Sequence, residues 1–191
     1  MINLPKHIEA TGFDCLISCI TMVCMYWRIK NNQRKWNLSY DLNSNDWDNF
    51  HKNGLSYVRN SGVPFNSIGR YLSNLKIPLK AAIEFLPDTF ELENLIGLQI
   101  PPIVLYDRFF MLRGINRTPF HSVVLVDETK ELFTAIDPSL SPKFLIGLPK
   151  KDFKEAWDIT QNATVIITPK TYKSRRRNVP SVTLTRWVGP K

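Results

Sequence analysis

The feature that most constrains the fold is an uncharged stretch of 13 residues, Cys15–Trp27. Apolar side chains recur within it at Leu16, Ile20, Val23 and Trp27, the spacing of one helix face, and a second apolar stripe lies beside them. A helix with apolar side chains around most of its circumference is buried in the protein core. At roughly 1.5 Å per residue it is about 20 Å long, too short to cross a bilayer. The sequence therefore predicts a buried central helix.

Cys15 stands at the start of this helix, directly after Asp14, whose residue type favours the N-cap position. The positive end of the helix dipole and the unpaired backbone N–H groups there favour a thiolate over a thiol. The same N–H groups can donate to an oxyanion that forms beside the sulfur. Cys15 is therefore a candidate nucleophile, although a cysteine on a buried helix can also be a small core hydrophobe. We assign that core role to Cys19 and Cys24.

The cysteines and histidines give no sign of a disulfide framework or a metal site. The three cysteines are irregularly spaced without a CxxC pair, and His7, His51 and His121 are scattered. We therefore expect no metal and no cofactor. No signal peptide opens the chain, and no stretch is long and apolar enough to span a membrane, so with free thiols we expect a cytoplasmic protein.

Helical patterns come first and strand patterns follow, which is typical of an α+β fold with an antiparallel sheet. Residues 36–55 are expected to be a long connection that could hold one short helix, and 107–119 an irregular loop with exposed aromatic side chains. A capped helix is expected after Asp88, with Gly97 at its end. Strands are predicted at 78–84, 102–106, 121–127, 131–137, 144–148 and 164–168, further helices at 55–60 and 67–75, and a short amphipathic helix at 151–157.

The hairpin in the second half of the chain carries the most specific geometric inference. If its turn is centred on Thr129, cross-strand partners have numbers that sum to 258, which places His121 opposite Asp137. Opposed side chains have Cβ atoms about 5 Å apart, so the carboxylate can hold one imidazole nitrogen and leave the other for a thiol. A register slip would change this pairing, and Asp127 is an alternative carboxylate. The pair could also be an edge histidine beside a solvated aspartate.

Cys15, His121 and Asp137 together supply a nucleophile, a proton carrier and a group that orients the imidazole. Their order resembles that of the papain-like cysteine peptidase superfamily, most closely the bacteriocin (double-glycine) leader peptidase family and its stand-alone acyltransferase relatives. The resemblance spans most of residues 7–168. It is carried by Asp14-Cys15 opening an apolar helix, His121 opening an apolar strand, Asp137-Pro138 sixteen residues later and Phe153-x-x-x-Trp157 before the last strand.

The resemblance implies a papain-like domain over residues 1–169, with a helical half packed on an antiparallel sheet and a Cys-His-Asp triad. Two positions depart from the family pattern. Leu16 stands where the family usually has Gly, and Glu9 stands where it has a Gln whose amide completes the oxyanion hole. A neutral Glu9 could donate a hydrogen bond there, if burial favoured that form. Thr11 and His7 are the other candidates for this role.

The resemblance also implies an S-acyl-Cys15 intermediate, which leaves open the acyl donor and acceptor. Leader peptidases are usually fused to a membrane exporter, whereas this sequence has no stretch that could span a membrane. An oxyanion hole without its Gln also suits an activated thioester donor better than an amide donor. We therefore expect an acyltransferase that joins an acyl group from an acyl carrier protein to an amine in specialised-metabolite biosynthesis. A cysteine peptidase that cleaves a peptide substrate is the alternative.

Positive charge is concentrated at the end of the chain. The net charge is +8, and residues 170–191 hold seven basic and no acidic side chains, which leaves +1 for the remainder. We expect this segment to be a basic C-terminal tail that could attract an acidic carrier protein. A solvated end of the chain is an alternative interpretation. A further one is an inactive domain that binds nucleic acid or anionic lipid through the tail, although nucleic acid is disfavoured because few aromatic residues are interleaved with the charges.

Overall fold

The computed structural model describes residues 1–6, 14–30, 45–56, 67–74, 77–113, 120–140 and 144–172. The helices in these ranges are α1 Cys15–Lys30, α2 Asn45–Leu55, α3 Ile68–Asn74, α4 Thr89–Gly97, α5 Arg108–Arg113 and α6 Lys150–Asp158. The strands are β1 Leu79–Phe85, β2 Ile103–Asp107, β3 Phe120–Glu128, β4 Leu132–Ile136, β5 Leu145–Pro149 and β6 Ala163–Pro169.

Helix α1 is the predicted central helix, and every residue from Leu16 to Arg28 is buried. It is held against the sheet by polar contacts as well as by apolar packing. The Cys19 thiol donates to the backbone carbonyl of Ser122, with 3.3 Å between sulfur and oxygen, and the Trp27 indole N–H donates to the carbonyl of Ile167 at 2.7 Å. These contacts tie the helix to β3 and β6.

The strands form one antiparallel sheet in the order β1-β6-β2-β3-β4-β5. The run from β2 to β5 is the predicted meander, and β6, the last strand of the described residues, lies between β1 and β2. Helices dominate the first half of the described chain and strands the second. The predicted α+β architecture, with a buried helix packed on an antiparallel sheet, is confirmed.

The predicted register between β3 and β4 is wrong by three residues next to the turn and by two residues beyond the bulge in β3. Val124 pairs with Ile136, so that partner numbers sum to 260 beyond the bulge in β3. The turn is not centred on Thr129, because the backbone N–H of Thr129 donates to the carbonyl of Leu132 at 2.8 Å and moves the centre towards residues 130 and 131.

Beyond the bulge, a shift of two residues leaves the paired side chains on their predicted faces, because side chains alternate with a period of two. Asp137 directly follows β4 and, by the observed register, falls opposite Val123 rather than His121. His121 and Asp137 therefore remain neighbours on one face, diagonally rather than directly opposed.

Two helices occupy segments that were predicted mainly as connections. Helix α5 lies within the expected loop 107–119, and its start is capped by Asp107, whose carboxylate accepts from the backbone N–H of Phe110 at 2.8 Å. Phe109 and Phe110 are half-buried rather than exposed. Helix α2 fills the end of the expected connection 36–55.

Other boundary predictions have mixed outcomes. The cap at Asp88 is confirmed, because its carboxylate accepts from the backbone N–H of Glu91. The helix predicted at 55–60 is wrong at its start, since Leu55 ends α2, and residues 57–60 lie outside the described chain.

Of the predicted tail 170–191, the structure describes residues 170–172. The backbone N–H of Lys170 donates to the carbonyl of Pro78 at 2.9 Å, and Tyr172 packs against the core. Across the described ranges, no helix combines the length and the apolar character that crossing a membrane requires.

Helices α1 and α2 approach closely at Gly54. A Cβ atom added there would lie 2.5 Å from Cγ2 of Ile17 and 3.0 Å from the Tyr71 hydroxyl oxygen. Ile17 is fully buried and β-branched, so its methyl group has little room to move. Only glycine fits this helix contact without a shift of α2.

We expect Gly54→Ala to lower the free energy of unfolding by about 1–3 kcal/mol, because overpacking displaces buried side chains. Gly69→Ala on α3 is the matched control, since a Cβ atom there meets nothing within 4 Å. The control should leave stability unchanged or raise it by up to about 1 kcal/mol. Urea unfolding curves measure both variants, and equal stability for the two would contradict the close contact at Gly54.

Candidate active site

Cys15 is the first residue of α1 and is partly exposed, whereas Cys19 and Cys24 are fully buried. Burial strongly raises the pKa of the Cys24 thiol, which favours its neutral form. The core role predicted for Cys19 and Cys24 is confirmed by this burial. Of the three thiols, Cys15 alone combines access to solvent with a place at a helix N-terminus, where backbone N–H groups have no partner inside the helix.

A buried acid–base pair adjoins Cys15. Asp14, directly before α1, is fully buried, and one of its carboxylate oxygens lies 2.7 Å from Nε2 of His51 on α2. A buried carboxylate is tolerated only when polar partners replace its lost hydration. The pair therefore helps to fix the start of α1, and with it the position of Cys15, against α2.

His121 lies near the start of β3, with Nε2 2.8 Å from Oδ1 of Asp137. Cys15 lies close enough to the imidazole to raise its pKa, and since Nε2 is engaged by Asp137, Nδ1 is the nitrogen available to the sulfur. Burial alone would lower the pKa of His121, but the hydrogen bond with Asp137 and the nearby Cys15 side chain outweigh it and raise the pKa to about 9. The imidazolium is therefore favoured at neutral pH.

Asp137 is buried, and its Oδ1 accepts three hydrogen bonds. They come from Nε2 of His121 at 2.8 Å, from the backbone N–H of Ser139 at 2.9 Å and from the Ser139 hydroxyl at 2.7 Å. Burial raises the pKa of this carboxyl, but the bonds from His121 and Ser139 act in the opposite direction and leave it below its ordinary value. Asp137 is therefore an ionised acceptor that fixes the orientation of the imidazole.

Tyr106 on β2 and Arg108 at the start of α5 lie beside His121 and Asp137. Tyr106 pairs with His121 across β2 and β3, and the two rings meet edge-to-face with centroids 6.1 Å apart. Burial raises the pKa of the Tyr106 phenol well above its ordinary range, so it stays neutral. Arg108 places Nη1 3.0 Å from the Ser139 hydroxyl oxygen and Nη2 3.8 Å from Oδ2 of Asp137.

The structure brings Cys15, His121 and Asp137 together, as the sequence predicted, although their catalytic role stays a prediction. The alternative carboxylate, Asp127, lies six residues from His121 along the same strand, about 20 Å away in an extended chain. It is too distant to orient the imidazole. The chain of contacts from sulfur to imidazole to carboxylate is the arrangement that activates a nucleophile.

The remaining predicted residues fall outside the described chain. Glu9 and Thr11, the oxyanion-hole candidates, and His7 lie between residues 6 and 14, so their role stays a prediction. Among the described residues, no group of three or more His, Cys, Asp or Glu side chains is arranged to hold a metal ion.

Sequence reasoning missed the polar partners around the triad. Ser139 could have been found, because an Asp two residues before a Ser often accepts from that backbone N–H in a turn. His51 and Arg108 carry no local signal, since their partners are 37 and 29 residues away along the chain. Their contacts depend on where α2 and α5 pack.

The described architecture matches several solved peptidase domains. A putative C39-like peptidase from Bacillus anthracis aligns with a TM-score of 0.63 at 13% identity, covering 88% of this chain and 96% of that one. The fold is that of C39-like peptidase domains. The fold that the resemblance to double-glycine leader peptidases implied is therefore confirmed.

Two further matches are domains of transporters. The double glycine motif protease of an AMS/PCAT transporter, solved in complex with the leader peptide, aligns with a TM-score of 0.55 at 14% identity, over 88% of this chain and 93% of that one. The peptidase domain of Streptococcus ComA, a bifunctional ABC transporter of a quorum-sensing pathway, gives 0.57 at 14% identity, over 88% and 99%. No protein-family model and no curated protein matches the sequence.

We expect Asp137→Asn to lower the pKa of His121 from about 9 towards its ordinary 6.5. The amide keeps the size of the side chain but removes the charge that favours the imidazolium. Titration of the His121 ring signals by NMR measures the change. Asp152→Asn, at an exposed site on α6, is the matched control and should leave that pKa in place. An unchanged pKa in Asp137→Asn would contradict the role of the carboxylate.

The same shift makes stability depend on pH. Because folding raises the pKa of His121, its charge stabilises the fold fully below pH 6.5, and the contribution is lost as the pH rises through about 9. As the pH rises from 6.5 to about 9, the free energy of unfolding of the native chain should therefore fall relative to that of Asp137→Asn. Parallel denaturation curves at pH 6 and pH 9.5 measure the difference, and a constant difference would contradict the assignment.

Proposed function

We propose that this protein is a cysteine enzyme that transfers acyl groups through a thioester on Cys15, in the manner of a peptidase. The observation that carries the proposal is that Cys15 adjoins the imidazole of His121, which is hydrogen-bonded to Asp137, with the sulfur partly exposed at the N-terminus of α1. Tyr106 packs against the His121 ring, and the buried Asp14–His51 pair fixes the start of α1 beside Cys15.

In the first step the Cys15 sulfur attacks the carbonyl carbon of the donor. A C–S bond forms while the carbonyl electron pair moves to oxygen, where the backbone N–H groups at the start of α1 can stabilise the negative charge. Collapse of this intermediate breaks the bond to the leaving group, which takes a proton from the His121 imidazolium. The product is an S-acyl-Cys15 thioester, and neutral His121 is then ready to act as a base.

In the second step His121 removes a proton from the acceptor as it attacks the thioester, which restores the imidazolium and releases the sulfur. Asp137 keeps Nε2 protonated throughout, so that Nδ1 carries the transferred proton. With water as the acceptor the enzyme is a peptidase. We propose a peptide as the donor, supported by the likeness of the fold to proteases, one of which was solved with a leader peptide.

A second candidate is the transfer of an acyl group from a carrier-protein thioester to an amine. It is favoured by Glu9 and Leu16, which replace the Gln and Gly that the peptidase family usually has. A thioester donor needs less help from an oxyanion hole than an amide does, because its leaving group is a thiolate. In this scheme Glu9 or Thr11 would contact the acyl oxygen, and the basic residues 170–191 would attract an acidic carrier.

We expect the purified protein to form a covalent adduct on Cys15, detected by intact mass spectrometry and peptide mapping. The probes are a peptide aldehyde, which traps a peptidase as a thiohemiacetal, and an acyl N-acetylcysteamine thioester, which loads the sulfur directly. Cys15→Ala should abolish both adducts. Cys24→Ala, which changes a buried thiol in the core, is the matched control and should retain them.

The fate of the thioester separates the two candidates. If water releases the acyl group from Cys15 faster than a small amine does, the peptidase is supported. If the amine releases it faster, the acyltransferase is supported. The absence of any adduct on Cys15 with both probes would refute the proposal and favour an inactive domain that binds through its tail.

A further inference from the structure

The two oxygens of Asp137 have unequal surroundings. Oδ1 accepts three hydrogen bonds, from His121 and twice from Ser139, whereas the contact recorded for Oδ2 within the described chain is Nη2 of Arg108 at 3.8 Å. That distance is an ion-pair contact rather than a hydrogen bond. The carboxylate that orients the imidazole is thus itself held from two sides.

The direction of each bond around Ser139 is fixed by chemistry. Arginine can only donate, so the Ser139 hydroxyl oxygen accepts from Nη1 of Arg108 at 3.0 Å. The single hydroxyl proton is then given to Oδ1 of Asp137 at 2.7 Å. The chain therefore runs from Arg108 through Ser139 to Asp137, and Asp137 receives the N–H of His121 at the other end.

The position of these residues in the sheet explains why the contacts matter. Arg108 directly follows β2, and Ser139 lies just beyond β4, while His121 sits on β3 between those two strands. The guanidinium therefore spans the end of the strand that carries the imidazole. About a third of its side-chain surface is exposed (33%), so it can be changed without opening a hole in the core.

We infer that Arg108 and Ser139 are positioning residues that act on the reaction through Asp137, by holding its carboxylate in line with His121. This inference rests on the proposed function, because it concerns the orientation of the same imidazole towards Cys15. The fork of Arg108 divides its contacts between the hydroxyl and the second carboxylate oxygen, a geometry that lysine cannot reproduce.

A positioning role and a simple charge effect predict opposite signs. If Arg108 acted only as a nearby cation, its removal would raise the pKa of His121, because a like charge disfavours the imidazolium. If it holds Asp137 in place, its removal weakens the His121–Asp137 bond and lowers that pKa. Ser139 carries no charge, so its removal lowers the pKa of His121 only through positioning.

The test compares Arg108→Met, Arg108→Lys and Ser139→Ala with the native chain and with Arg70→Met, an exposed control on α3. The readouts are the pKa of His121 by NMR and the rate of Cys15 alkylation by iodoacetamide between pH 5 and pH 10. A thermal unfolding curve of each variant establishes that it is folded at the assay temperature.

We expect Arg108→Met and Ser139→Ala each to lower the pKa of His121 by about one unit and to slow adduct formation on Cys15 about tenfold, because misplaced groups lose much of the benefit of orientation. Arg108→Lys should fall between Arg108→Met and the native chain, and Arg70→Met should match the native chain. Unchanged values in Arg108→Met and Ser139→Ala would overturn the inference. So would a raised pKa in Arg108→Met with no change in Ser139→Ala.

Failure of the proposed function gives a different result. If Cys15 of the native chain were alkylated no faster than Cys24 and His121 titrated near its ordinary pKa, the proposed chemistry would fail, and the inference with it. If the native chain behaves as proposed while Arg108→Met and Ser139→Ala match it, only the role of Arg108 and Ser139 is refuted.

Discussion

The site depends on one buried hydrogen bond, between Nε2 of His121 and Oδ1 of Asp137. Both groups are almost completely removed from water. Burying either one without a partner would cost desolvation free energy, and the bond between them offsets that cost. The bond fixes which imidazole nitrogen faces the sulfur, and it keeps the ring charged where burial alone would neutralise it. The orientation of the imidazole therefore follows from this contact, and its charge from this contact together with the nearby Cys15 side chain.

That contact is delivered by the parity of a β-sheet rather than by an exact register. His121 is on β3, and Asp137 follows β4, so any even shift between these strands keeps the two on one face. This is why the sequence predicted the pair correctly from a register that was wrong by two residues. Next to the turn the shift is three residues, which would have put the two on opposite faces, and the bulge between Leu125 and Asp127 makes the shift even again.

The predictable parts of the structure are those encoded by local periodicity. The central helix, the meander and the cap at Asp88 follow from side-chain patterns of about ten residues. The contacts of Asp14 with His51 and of Arg108 with Asp137 do not, because they join segments whose packing is decided by the whole core. Helix α5 was missed for a related reason, since it is short and depends on Asp107 for its start.

Strand β6 reaches its place between β1 and β2 only after every other described strand has been synthesised. Until then β1 has no partner among the described strands, and the Trp27 indole lacks its acceptor on Ile167. The meander that carries His121 can form from nearby segments, whereas its union with the first strand requires closure of a long loop. Attachment of β1 to the rest of the sheet is thus coupled to the arrival of β6, the last of the described strands to be synthesised.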